Sequence, residues 1–240
     1  MFFIHPIYNQ EFIIGSLQHI LPITLGIFLG TAIIYFAKNR CQLKRQQQLF
    51  NGLGIFVSLS TVFYHLHLVS KGNYNVITDL PLFICSFISL FIFVFTYYRK
   101  YWIYEILLFW IIAGTTHGVI TPDIPNAFPD LDFFRYWIVH LGLIIIILYA
   151  TVVLKMRPTL KSVFKSFLAL QLYMAILFRI NALLGSNYSY LNEKPVSASI
   201  LDYLGGWPSY IFVIEVLLIP YFLLIYFPFY ISEKVKKKTT

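Results

Sequence analysis

Residues 133–154, FFRYWIVHLGLIIIILYATVVL, decide the fold. After Arg135 the segment runs to Leu154 without another charge. At 1.5 Å per residue it is long enough to cross roughly 30 Å of hydrocarbon. Similar windows recur along the chain. The apolar pattern predicts helices at 14–36, 49–68, 79–97, 102–120, 133–154, 163–184 and 207–231. The expectation is an all-α polytopic membrane protein: one seven-helix transmembrane domain spanning 1–240, with no room for a separate soluble domain.

Composition agrees. The 240 residues are 59% hydrophobic and only 12% charged, whereas a soluble domain carries about a quarter charged residues. The net charge of +8 does not argue for nucleic acid, because fourteen of the eighteen Lys and Arg fall in alternate loops and the tail. Lys38, Arg40, Lys44 and Arg45 follow the first predicted helix, and Arg99 and Lys100 follow the third. Lys155, Arg157, Lys161 and Lys165 follow the fifth, and Lys234, Lys236, Lys237 and Lys238 close the chain. By the positive-inside rule the N-terminus is expected outside and the C-terminus in the cytoplasm of a multi-pass cell-membrane protein. Met1–Phe12 lacks Lys and Arg and does not read as a cleaved signal peptide. Cys41 in a basic loop and Cys85 in a helix do not suggest a disulfide, and no metal-type Cys spacing exists.

Alternating helix direction brings distant polar residues to one depth. His19, Cys85 and His140 lie a few residues into helices that enter from the outer side. His65, His117, Arg179 and Asn181 lie in the last turns of helices that leave toward it. Polar groups at membrane depth are functional candidates by default. Each also has an ordinary reading. Cys85 shares a helical face with Leu82, Ser86 and Ser89, and most helical cysteines are small inert hydrophobes. As a nucleophile it needs a base, for which His140, one turn after Tyr136, is suited. His19, His117 and His65 serve equally as hydrogen-bonding residues between helices. His67 lies nearer the interface, where histidine is ordinary. Asp79, before Leu80-Pro81, reads as a helix N-cap, and Asp123 as a turn or cap residue in an acidic loop with Asp130 and Asp132. Arg179 needs a phosphate or carboxylate partner, Glu215 among the options, or snorkels to the surface. The loop 185–206, with Asn187 and Tyr188, is long enough to act as a lid or an interfacial anchor.

Three outer motifs carry a family resemblance: Asp79-Leu-Pro-Leu with Cys85; Thr121-Pro-Asp123 with Phe128-Pro129 and His140; and Asn181-Ala-Leu-Leu-Gly185-Ser-Asn187-Tyr188-Ser-Tyr-Leu191 followed by Lys194-Pro195, Ser199, Leu201-Asp202 and Gly206-Trp207-Pro208. Together they resemble the YwaF family of bacterial integral membrane proteins over nearly the whole chain. That family is related to a mammalian transmembrane protein regarded as a cysteine-dependent acyltransferase on ether phospholipids. The resemblance implies Cys85 as nucleophile and His140 as its histidine. Family members often carry a further histidine two residues before the cysteine, where this chain has Phe83.

The resulting expectation is acyl transfer or hydrolysis on a membrane lipid at the outer half of the bilayer. Cys85 and His140 are catalytic, and His19, His117, Arg179, Asn181, Asn187 and Tyr188 bind substrate or support the site. No cofactor and no resident metal are called for, and membrane lipids are both solvent and substrate. Two rivals stand beside it. A zinc-dependent seven-helix hydrolase would draw on His65, His117, His140 and Asp79, although no His-x-x-x-His spacing is present. A non-catalytic transporter or sensor would use the same outer cluster to bind an amphiphile. Retinal is disfavoured, since the seventh helix has no lysine before Lys234.

Overall fold

In the computed structural model, residues 12–72, 74–196 and 199–239 are described, so the Met1–Phe12 reading falls almost wholly outside them. Seven helices run in sequence: α1 Leu17–Arg40, α2 Leu43–Ser70, α3 Ile84–Tyr98, α4 Tyr101–Ile120, α5 Leu131–Val152, α6 Leu160–Leu184 and α7 Ser209–Thr239. Two short 3-10 turns, Tyr188–Tyr190 and Ile200–Tyr203, lie between α6 and α7, and no strand occurs among the described residues. Six of the helices are long and apolar enough to cross a membrane; α3, at 15 residues, is shorter.

The α4 and α5 helices are the axis of the bundle. α5 packs against α1, α2 and α3, while α4 packs against α6 and touches α5. Tyr104, Phe109, Val139, Leu143, Ile146 and Tyr149 are fully enclosed there. The outer helices leave most of their apolar side chains facing outward, as lipid solvent allows. Helix contact in such a solvent relies on small residues and hydrogen bonds rather than on hydrophobic exclusion. At the α2–α3 crossing a Cβ on Gly54 would sit 2.0 Å from Thr96 Oγ1, so only glycine permits that approach. The Ser58 and Thr61 hydroxyls of α2 bond the carbonyl and hydroxyl of Ser89, each at 2.8 Å.

The third helix departs from expectation. It begins at Ile84, not at 79, and Phe83 rather than Asp79 precedes its first turn. Pro81 has no N–H to give a helix, and the polar groups around it are taken from elsewhere. Tyr188 Oη accepts from Leu80 N at 3.0 Å and donates to Val76 O at 2.7 Å, while Tyr173 Oη donates to Leu82 O at 2.7 Å. Asp79 is therefore not a helix cap. Its carboxylate closes its own turn, accepting from Asn75 N and Thr78 Oγ1. Irregular backbone at this depth is tolerable because protein hydroxyls satisfy it.

α4 is not uniform either. Ile111–Thr115 form a π turn between two α-helical stretches. Such wide turns are rare and often found at functional sites. At the opposite end of the bundle, α4 and α6 are fastened by Glu105. This buried carboxylate accepts from Ser162 Oγ at 2.6 Å and from Lys165 Nζ at 2.8 Å.

Candidate functional site

The residues that could do chemistry gather around the last turns of α4, at the end of the bundle away from the basic loops. Thr115 closes the π turn and is fully buried. Its Oγ1 lies 3.4 Å from Cys85 Sγ, in the first turn of α3. Three residues on, Gly118 faces α5. Tyr136 Oη donates to Gly118 O at 2.7 Å, and a Cβ on Gly118 would fall 2.8 Å from His140 Nε2. Cys85 and His140 thus reach the same short segment, Thr115 to Gly118, from two different helices.

The state of His140 follows from its bonds. Nδ1 lies 2.8 Å from the Tyr136 carbonyl, which can only accept, so Nδ1 carries the proton. The Nε2 lone pair is then left toward Gly118. The imidazole stacks on the Tyr136 ring with centroids 3.9 Å apart, which fixes its plane.

His19 belongs to the same layer but is already committed. Nδ1 accepts from Gly15 N and Nε2 donates to Val119 O, both at 2.9 Å, so the ring pins α1 to the end of α4. His117 turns the other way, toward the ring of Tyr221 on α7. His65 sits between Tyr64 and Tyr74, its two ring nitrogens buried without a hydrogen-bond partner among the described residues. With Asp79 closing its own loop, the four zinc-type residues do not converge. No three His, Cys, Asp or Glu among the described residues are placed to share a metal ion. Arg179 is exposed on α6 and makes no ion pair with Glu215, whose carboxylate instead accepts from Gln171 Nε2 at 2.6 Å.

The long loop after α6 covers this layer. Asn181, 1% exposed, holds its start from both sides: Oδ1 accepts from Tyr188 N and Ser186 Oγ, and Nδ2 donates to Tyr188 O. Asn187 does the same for the next turn, accepting from Asn192 N and Glu193 N. Tyr190 Oη donates to Asp123 Oδ2 at 2.6 Å, and Tyr210 Oη donates to Tyr190 O. Asp123 thus ties two loops together and caps no helix. Phe83 packs against the rings of Tyr188 and Tyr190, just ahead of Cys85. Ser189 and Tyr190 both adopt left-handed backbone at φ 57°, a conformation that non-glycine residues hold only when their surroundings enforce it.

Sequence reading missed Thr115 and Gly118 as site residues, although both stand in the Gly114-Thr-Thr-His117-Gly118 run that frames His117. It also missed Tyr190, which sits in the loop block beside Tyr188, and Glu105, the single acidic residue of α4.

No curated protein and no solved structure matches the chain. A family model does, over residues 14–226, which takes in α1 to α6, the covering loop and the first part of α7. The chain belongs to the TMEM164 family and is a multi-pass membrane protein.

Proposed function

We propose that the protein transfers or hydrolyses acyl groups of a membrane lipid through Cys85, with His140 as general base. The observation that carries this reading is the convergence of Cys85 and His140, from α3 and α5, on Thr115 and Gly118 of one helix end, with Nε2 unprotonated. The resemblance to the YwaF family and its acyltransferase relative supports the same pair, and a cell-membrane location with the site in the outer leaflet fits the distribution of basic loops.

Nε2 of His140 takes the proton of the Cys85 thiol, and the thiolate attacks the ester carbonyl. The tetrahedral intermediate collapses as the lipid alcohol departs with the proton from Nε2, leaving a Cys85 thioester. A second lipid alcohol or water, deprotonated by Nε2, attacks the thioester, and the proton returns to the sulfur. The covering loop keeps bulk water from the thioester, favouring transfer over hydrolysis.

A non-catalytic reading, the binding of an amphiphile, is favoured by a second observation. An apolar cleft of about 290 Å³ opens between α6, α7 and the loop, lined by Met174, Phe178, Leu191, Trp207 and Phe212. Under the catalytic reading the same cleft holds an acyl chain.

Replacing Cys85 with Ser should abolish covalent labelling by an acyl-directed probe, while Cys41→Ser labels as the parent does. Melting curves show whether each variant folds. Undiminished labelling and turnover in the Cys85 variant reject the nucleophile. Saturable stabilisation by a lipid, with no turnover in the parent protein, selects the amphiphile-binding reading instead.

A further inference from the structure

A cleft of about 610 Å³ lies at the other end of the bundle, between the α1–α2 turn, the end of α3 and the segment after α5. Three cations line it: Lys38, Arg99 and Lys155. Three side-chain amides, Asn39, Gln46 and Gln47, accompany them, and none of the ten lining residues is acidic. The first turn of α2 contributes to the wall. It has no acidic residue and no capping side chain, so its leading N–H groups add to the positive potential.

Orientation of a membrane protein requires only that loops carry Lys and Arg. It requires neither an enclosing cleft nor a particular backbone. Here two of the three cations stand in left-handed backbone, Arg99 at φ 51° and Lys155 at φ 59°, where glycine is the unstrained choice. Arg99 is further held in place. Nη1 donates to Asn51 Oδ1 at 3.0 Å and to Thr96 O at 3.1 Å, leaving Nε and Nη2 uncommitted among the described residues. Gln46 Nε2 braces the α1–α2 turn by donating to Ala37 O and Cys41 O. A guanidinium fixed by two bonds, beside two exposed ammonium groups and a helix start, suits a tetrahedral oxyanion.

We infer that this cleft binds a phosphate group, borne by an anionic lipid headgroup or by a soluble phosphate. The site is separate from Cys85 and does not depend on the chemistry proposed there, so the Cys85→Ser protein serves as well as the parent.

The test measures thermal stabilisation of the purified protein by dihexanoyl phosphatidic acid, by inorganic phosphate and by the zwitterionic dihexanoyl phosphatidylcholine. The comparison variant is Lys38→Gln with Lys155→Gly. Glycine at position 155 removes a charge while relaxing its backbone, so weaker binding does not reflect a weaker fold. Phosphatidic acid should raise the melting temperature, with half-saturation at least about tenfold weaker in the double variant. It should be unaltered by Lys194→Gln, a cation removed from the other end. Stabilisation by phosphatidic acid alone identifies a membrane-borne phosphate, and equal stabilisation by inorganic phosphate a soluble one; both support the site. No response to either anion, an equal response to phosphatidylcholine, or full binding by the double variant overturns it.

Discussion

Gly118 is the residue on which the site closes most tightly. A methyl group there would press on His140 at 2.7 Å from Cδ2 and 2.8 Å from Nε2, and would crowd the Tyr136 hydroxyl at 3.2 Å. Gly118→Ala must therefore push the imidazole off its stack without touching Cys85. The overpacking should cost about 1–3 kcal/mol of stability. If His140 is the base, turnover should fall by about 10²–10⁴-fold, while a strongly electrophilic thiol reagent still labels Cys85. Full turnover in this variant, measured beside its melting curve, would remove His140 from the mechanism. The placement of the candidate residues was partly open to sequence reading. Alternating helix direction was enough to give Cys85 and His140 a common depth. Their common neighbour was hidden, because a π turn does not announce itself in Ile111–Thr115 and shifts which residues of α4 face α3 and α5.

Among the elements, the covering loop has the clearest energetic signature. Burial, and next the bond to the Asp123 carboxylate, push the Tyr190 phenol above its ordinary value near 10. The fold therefore favours the neutral phenol. Its contribution is complete below pH 10 and is lost as the pH rises through the raised value. Tyr190→Phe should cost the loop about 1.5–3 kcal/mol at neutral pH, as for a hydrogen bond to a charged acceptor. It should also lose the alkaline transition of the parent protein. Fluorescence of Trp207, whose indole N–H donates to Leu191 O in the loop, reports both effects. Identical titrations of parent and variant above pH 10 would show that this bond does not hold the loop. The same loop, together with α6, explains why α3 begins at Ile84 rather than at 79. The hydroxyls that keep 79–83 out of a helix come from Tyr173 and Tyr188, roughly a hundred residues away in sequence. Local propensity and a Pro at position 81 do not reveal partners at that distance.

For the whole molecule, the two ends carry different burdens. Glu105 fastens α4 to α6 at the basic end, far from Cys85. Glu105→Ala leaves Ser162 and Lys165 without their acceptor, and stability should fall by about 1–3 kcal/mol. Covalent labelling of Cys85 should persist at temperatures where the variant remains folded, and its loss there would show that the ends are coupled. The all-helical architecture was legible, with six apolar runs long enough to cross a membrane, while α3 proved shorter than the span expected of it. What could not be read was the pairing of helices: lipid-facing and protein-facing side chains are both apolar, and only close crossings such as Gly54 on Thr96 distinguish them. The π turn of α4 joins these two scales. In a regular helix each residue advances about 100°, so one extra residue in a turn resets the rotational phase of everything beyond it. The half of α4 that carries Thr115 and Gly118 is therefore set at a fixed angular offset from the half that carries Glu105, and the width of the turn at Ile111–Thr115 decides which of its side chains meet Cys85 and His140.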